Sequence, residues 1–69
     1  MNVKEFLEYS GLSVDGFARA VGISAQSLYR YMEGHKPHLK TAQRISEATS
    51  GYIEIKDLIP NYKDHSEDE

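Results

Sequence analysis

Two glycines, Gly22 and Gly34, divide one stretch of this chain so sharply that few folds remain open to it. From Ser13 to Gly34 the chain reads SVDGFARAVGISAQSLYRYMEG. Ser13 is an N-cap residue, with a side-chain oxygen for the free amides of a first helical turn. Phe17, Ala18 and Val21 then recur at helical spacing. Gly22 stops that helix, because glycine enters the left-handed C-cap conformation without a steric penalty. Ile23 is an apolar turn residue. Ser24 caps a second helix over Ala25 to Glu33, with Leu28, Tyr31 and Met32 on its apolar side, and Gly34 ends it. Two short helices at a fixed angle around a tight turn are the result. Ala18 is small where they cross, and Phe17, Val21, Ile23, Leu28 and Tyr31 fill the wedge.

This arrangement resembles the helix-turn-helix of the Cro and lambda-repressor family of phage and bacterial regulators. Phe17, Ala18, Val21, Gly22, Ile23, Leu28 and Tyr31 stand at family spacing, and Gly34 and Pro37 fall where members often carry Gly and Pro. The resemblance covers about residues 2–60 and implies a compact all-α domain of four to five helices. It implies that the outer face of the second helix of the motif enters a DNA major groove. Carried over by motif position, Ala25, Gln26 and Arg30 fall where members read bases. Their chemistry fits: Gln pairs with adenine, Arg with guanine, and the Ala methyl meets a thymine methyl. Ser24 joins them as a base-contacting candidate. Ser13, Arg19, Ser27, Tyr29, Lys36, His38 and Lys40 are the candidates for the DNA backbone. The chain departs from the family at Val14, where members often place a phosphate-binding Gln, and at Met32, where they often place Glu.

The net charge of the whole chain, −3, argues against nucleic acid, but its distribution argues for it. Between Arg19 and Arg44 lie five basic side chains (Arg19, Arg30, Lys36, Lys40, Arg44) against Glu33 alone, a local +4. Between Asn61 and Glu69 lie Asp64, Glu67, Asp68 and Glu69 against Lys63, a local −3. A local basic face matters more for DNA than the sum. The absence of Cys removes disulfides, thiolate chemistry and Cys-based zinc sites. His35 and His38 are spaced three apart but have no matched carboxylates nearby, so no metal is expected. No Ser-His-Asp or Cys-His set and no Gly-rich phosphate loop is present, so neither an enzyme nor a cofactor is expected. No apolar run approaches a membrane span and no leader is visible. The expected location is the cytoplasm, at the nucleoid of a bacterial or phage-infected cell.

The flanks complete the domain. Asn2 caps a first helix over VKEFLEYS, Glu5 closes a capping box, and Val3, Phe6 and Leu7 form the buried stripe. Leu12 packs where the chain turns. Leu39 to Thr49 reads as a fourth helix with Leu39, Ala42, Ile45 and Ala48 on its apolar face. Beyond Gly51, Tyr52-Ile53-Glu54-Ile55 alternates like a strand, while Lys56 to Ile59 suggests a helical turn before Pro60. A short fifth helix is favoured, with a strand paired across a dimer as the alternative. Thr49, Gly51, Asp57, Leu58 and Pro60 match the outline of small phage repressors here. Residues 61–69 are too polar to fold alone and read as an acidic, flexible tail. Tyr52, Ile53, Ile55, Leu58, Ile59 and Tyr62 are the apolar residues least needed for a four-helix core, and form the expected dimer interface.

Two functions of different class follow. The first is a sequence-specific repressor that binds a palindromic operator in double-stranded DNA as a homodimer, at least on DNA, and occludes a promoter, with no small-molecule effector. The second is a protein-interaction module on the same fold, such as an antirepressor or an antitoxin subunit.

Overall fold

A computed structural model describes residues 1–60 and Tyr62. Among them the chain forms five helices: α1 (Val3–Ser10), α2 (Val14–Val21), α3 (Ala25–Met32), α4 (Leu39–Ala48) and α5 (Ile55–Leu58). The fold is all-α, as expected.

Local chemistry sets the first three helices. The Asn2 side chain accepts from the Glu5 amide at 2.8 Å, and the Glu5 carboxylate accepts from the Asn2 amide at 3.0 Å. Ser13 accepts from the Gly16 amide at 3.0 Å, and Ser24 from the Ser27 amide at 3.1 Å. Each cap satisfies a donor that the helix geometry leaves unpaired. Gly22 ends α2 at φ +92°, its amide donating to the Ala18 carbonyl at 2.8 Å. A Cβ there would meet only Arg44 Nη1, at 3.7 Å. The position is thus closed to other residues by conformation, not by space.

The helices enclose one core. Phe17, Leu28, Ile45 and Ile53 are its largest fully buried side chains, joined by Val3, Phe6, Ala18, Val21, Ala42 and Leu58. α2 packs on α3 and α4, α1 on α3, and α5 on α4. An aromatic chain runs outward from this core. Phe17 meets Phe6 with ring centroids 5.4 Å apart, Phe6 meets Tyr52 at 6.2 Å, and Tyr52 meets exposed Tyr9 at 5.4 Å.

Several expectations need correction. Ile53 is 0 % exposed and Leu58 is buried. Both belong to the protomer core and are removed from the expected dimer interface. The alternating segment around Ile53 is no strand: it is a bend that inserts Ile53 before α5 begins. The cause is Thr49. Its hydroxyl donates to the Ile45 carbonyl at 3.0 Å and accepts from the Ile53 amide at 3.0 Å, so both groups are satisfied in the interior. Thr49 is buried, whereas Leu39 and Ala48 are exposed. The inner face of α4 is therefore Ala42, Ile45 and, just past its end, Thr49. Leu12 is 45 % exposed and lies outside the core.

Candidate nucleic-acid interface

The motif's second helix, α3, is held by one face. Leu28 is fully buried, and Ile23, Ala25, Tyr31 and Met32 pack half-buried against the core. That leaves Gln26, Tyr29 and Arg30 exposed on the opposite side of a helix about 12 Å long, with Ser24 exposed at its N-terminus. Gln26 and Arg30 are four residues apart, so they share a face. Of the base-reading candidates, these two are long, exposed and uncommitted, with no hydrogen bond or ion pair to other described residues.

The other two candidates are partly occupied. Ala25 is half-buried against the core. The Ser24 hydroxyl accepts from the Ser27 amide and donates to Ser27 Oγ at 2.9 Å. Its one proton is already placed, so Ser24 has only an acceptor to offer a base. Ser27, receiving that bond, keeps its own proton for an outside acceptor, and a phosphate oxygen is such an acceptor. Tyr29 is 52 % exposed beside Arg30.

The backbone candidates lie around α3. Arg19 is exposed on α2, and Ser13 caps that helix while keeping its hydroxyl proton free. Asp15, also exposed, stands in the first turn of α2. Its carboxylate suits the helix dipole and repels a phosphate approaching the same amides. Lys36, His38 and Lys40 are all exposed at the entry to α4. His38 occupies the N-cap position of α4 in an extended conformation but makes no side-chain cap bond. The first amides of α4 are thus left for an outside acceptor, with three potential cations around them. That combination is an anion-binding arrangement.

Spacing within the chain does not reveal this open helix end, nor the place of Arg44. The Arg44 guanidinium, 3.7 Å from where a Gly22 Cβ would stand, lies over the motif's turn at the C-terminal end of α2. A cation there is favoured by the helix dipole. Among the described residues the ion pairs are Met1 with Asp57 and Lys56 with Glu54. Arg19, Arg30, Lys36, Lys40 and Arg44 are therefore exposed and unpaired among those residues. No group of three or more potential metal-binding side chains gathers among them, and no helix is long and apolar enough to cross a membrane.

Of the expected dimer residues, Tyr52 is 51 % exposed and Ile55, Ile59 and Tyr62 are half-buried. Ile55 and Tyr62 line an open cavity with Ser46, Glu54 and Lys56.

Comparison with known proteins agrees with this geometry. A family model described as helix-turn-helix matches residues 3–53, spanning α1 to the buried Ile53. No curated protein and no solved structure matches the chain. The matched domain is that of DNA-binding transcription regulators. The five-helix fold, the capped turn at Gly22 and the family match together place the chain: it belongs to the Cro and lambda-repressor-type helix-turn-helix family.

Proposed function

We propose that the protein is a Cro-like repressor that binds a palindromic operator as a homodimer and blocks a promoter by occupying it. One observation carries this reading. α3 offers uncommitted Gln26 and Arg30 on one face, and the cations from Arg19 to Arg44 are exposed without ion-pair partners among the described residues. Gln26 and Arg30 read bases from the major groove. Ser27, Tyr29, Arg19, Ser13, Lys36, His38, Lys40 and the open end of α4 hold the phosphates. Ser24 and Ala25 contribute at the edge of the readout. Residues 1–60 form the DNA-binding domain, with an acidic segment after it.

One α3 covers only a few base pairs, so specific binding calls for two protomers with their helices about 34 Å apart. Tyr52, Ile55, Ile59 and Tyr62 remain as the residues for that contact. Four residues, of which Ile55 and Tyr62 border one cavity, suit a weak dimer reinforced by DNA.

Selection of binding sites from random duplex DNA tests the proposal. The expected result is an enriched inverted repeat with half-site centres about 10 base pairs apart. A single half-site would remove the dimer. No enrichment, together with no salt-dependent binding to any duplex, would remove the repressor and favour the protein-interaction module.

A further inference from the structure

The aromatic chain that leaves the core ends on the surface in a pair of tyrosines. Tyr9, near the end of α1, and Tyr52, between α4 and α5, have ring centroids 5.4 Å apart and ring planes inclined at 51°. Both are more than half exposed, so the pair is open to solvent. Both also lie against the buried Phe6 ring, at 6.3 and 6.2 Å, which holds them side by side. The Tyr52 backbone is fixed as well. Its carbonyl accepts from the Met1 ammonium at 3.0 Å, and its amide donates to the Thr49 carbonyl at 3.0 Å. The Tyr9 phenol is held above its ordinary value, chiefly by the Tyr52 hydroxyl beside it. The carbons ortho to the two hydroxyls therefore stand at the same edge of the pair.

Composition gives this pair a use. The chain has no Cys and no Trp, the side chains that compete with a phenol for one-electron oxidation. A hole placed on this protein therefore ends on tyrosine. Of its five tyrosines, Tyr29, Tyr31 and Tyr62 stand in no ring pair among the described residues. A tyrosyl radical couples fastest with a second one already held beside it, because no encounter is needed.

We propose that Tyr9 and Tyr52 form an oxidative cross-linking site, closed by a peroxide acting through a one-electron haem oxidant. Each phenol gives up one electron and its hydroxyl proton. The two phenoxyl radicals then join through one ortho carbon each, forming one carbon–carbon bond. The hydrogen on each of those carbons moves to the adjacent oxygen and restores the phenol. The protein loses two hydrogen atoms in all, and one hydrogen peroxide becomes two waters. The new bond ties α1 to the α4–α5 connection and closes a loop that contains α2, α3 and α4. It restrains the unfolded chain as a disulfide does, in a protein that has no Cys to form one. The site is independent of the DNA-binding reading above.

The test treats the full chain with hydrogen peroxide and a haem peroxidase, dilute enough to keep protomers apart. Dityrosine fluorescence follows the reaction, and mass spectrometry of the intact and digested protein locates the bond. Tyr9→Phe and Tyr52→Phe each keep a ring in place but remove one coupling partner, and Tyr29→Phe is the control. The expected product is a single chain lighter by two hydrogens, with the Tyr9 and Tyr52 peptides joined. Its yield per chain holds on dilution, falls at least about fivefold in Tyr9→Phe and Tyr52→Phe, and is unchanged in Tyr29→Phe. The joined protein melts at least about 5 °C above the untreated one. Absence of the product, joined peptides that exclude either tyrosine, or coupling found only between chains overturns the site. A joined protein that melts at or below the untreated one overturns the restraint, because the bond then fits the folded chain badly.

Discussion

At the scale of single residues, hydrogen-bond satisfaction and uncommitted donors carry most of the information. Thr49 is the main case. Its hydroxyl serves a buried carbonyl and a buried amide at once. Thr49→Val keeps the shape but leaves the Ile53 amide without an acceptor, a cost of about 1–3 kcal/mol. Urea denaturation of the variant measures it, and wild-type stability would rule out the role. Gln26 and Arg30 lie at the opposite extreme, exposed and with side chains that make no hydrogen bond or ion pair to other described residues. Under the proposed function, Arg30→Ala and Gln26→Ala each cost about 1–3 kcal/mol on the operator and relax preference at one base pair per half-site. Binding to a set of single-base operator variants checks both. The caps at Asn2, Ser13 and Ser24 are legible in the sequence because a short polar side chain before an apolar helical pattern has one obvious use. Thr49 is not, because its partner amide approaches only once α4 and α5 have packed.

At the scale of elements, the same contrast separates α1, α2 and α3 from α4. The first three begin with a side-chain cap, whereas α4 begins at His38 without one. A helix that forgoes a cap loses about 1 kcal/mol, so the open end of α4 makes two separable predictions. His38→Ser supplies an acceptor and raises stability by about 0.5–1 kcal/mol. His38→Asp also supplies one, but puts a negative charge where a phosphate would sit, so it stabilises the fold and weakens DNA binding. Thermal melts paired with binding to a random-sequence duplex separate the effects. If His38→Asp binds as wild type does, the end of α4 is not a phosphate site. The register of α4 shows the limit of periodicity. Leu39 and Ala48 fit an apolar stripe by spacing, yet both are exposed, and Thr49 takes the inner place. Apolarity alone does not distinguish positions at the two ends of a helix, where the neighbouring element decides what is covered.

At the scale of the whole molecule, the first residue meets the last helix. The Met1 ammonium donates to the Tyr52 carbonyl at 3.0 Å and to Asp57 Oδ2 at 3.1 Å, and Asp57 also accepts from the Glu54 amide at 2.9 Å. Partial burial pushes the Asp57 carboxyl up. The Glu54 amide, the Met1 ammonium and Lys56 together outweigh it and hold the group below its ordinary value. A depressed carboxyl stabilises the fold above its unfolded value, near about 3.9, and that stability is lost as pH falls through the folded value. Asp57→Asn therefore costs up to about 1 kcal/mol at neutral pH, given how exposed the pair is, and the two proteins converge in stability as pH falls through the lowered folded value of Asp57. Denaturation at neutral pH and stepwise through the acid range checks the convergence. The five-helix domain is legible from the sequence because its motif is built from local signals. The role of the α4–α5 connection is not, since alternation around Ile53 resembles a strand until the core is assembled. Ile53 plugs that core, with its amide tied to Thr49. The segment between α4 and α5 therefore cannot loosen by itself: in hydrogen exchange the Ile53 amide should be among the slowest in the protein, released only when the whole domain opens.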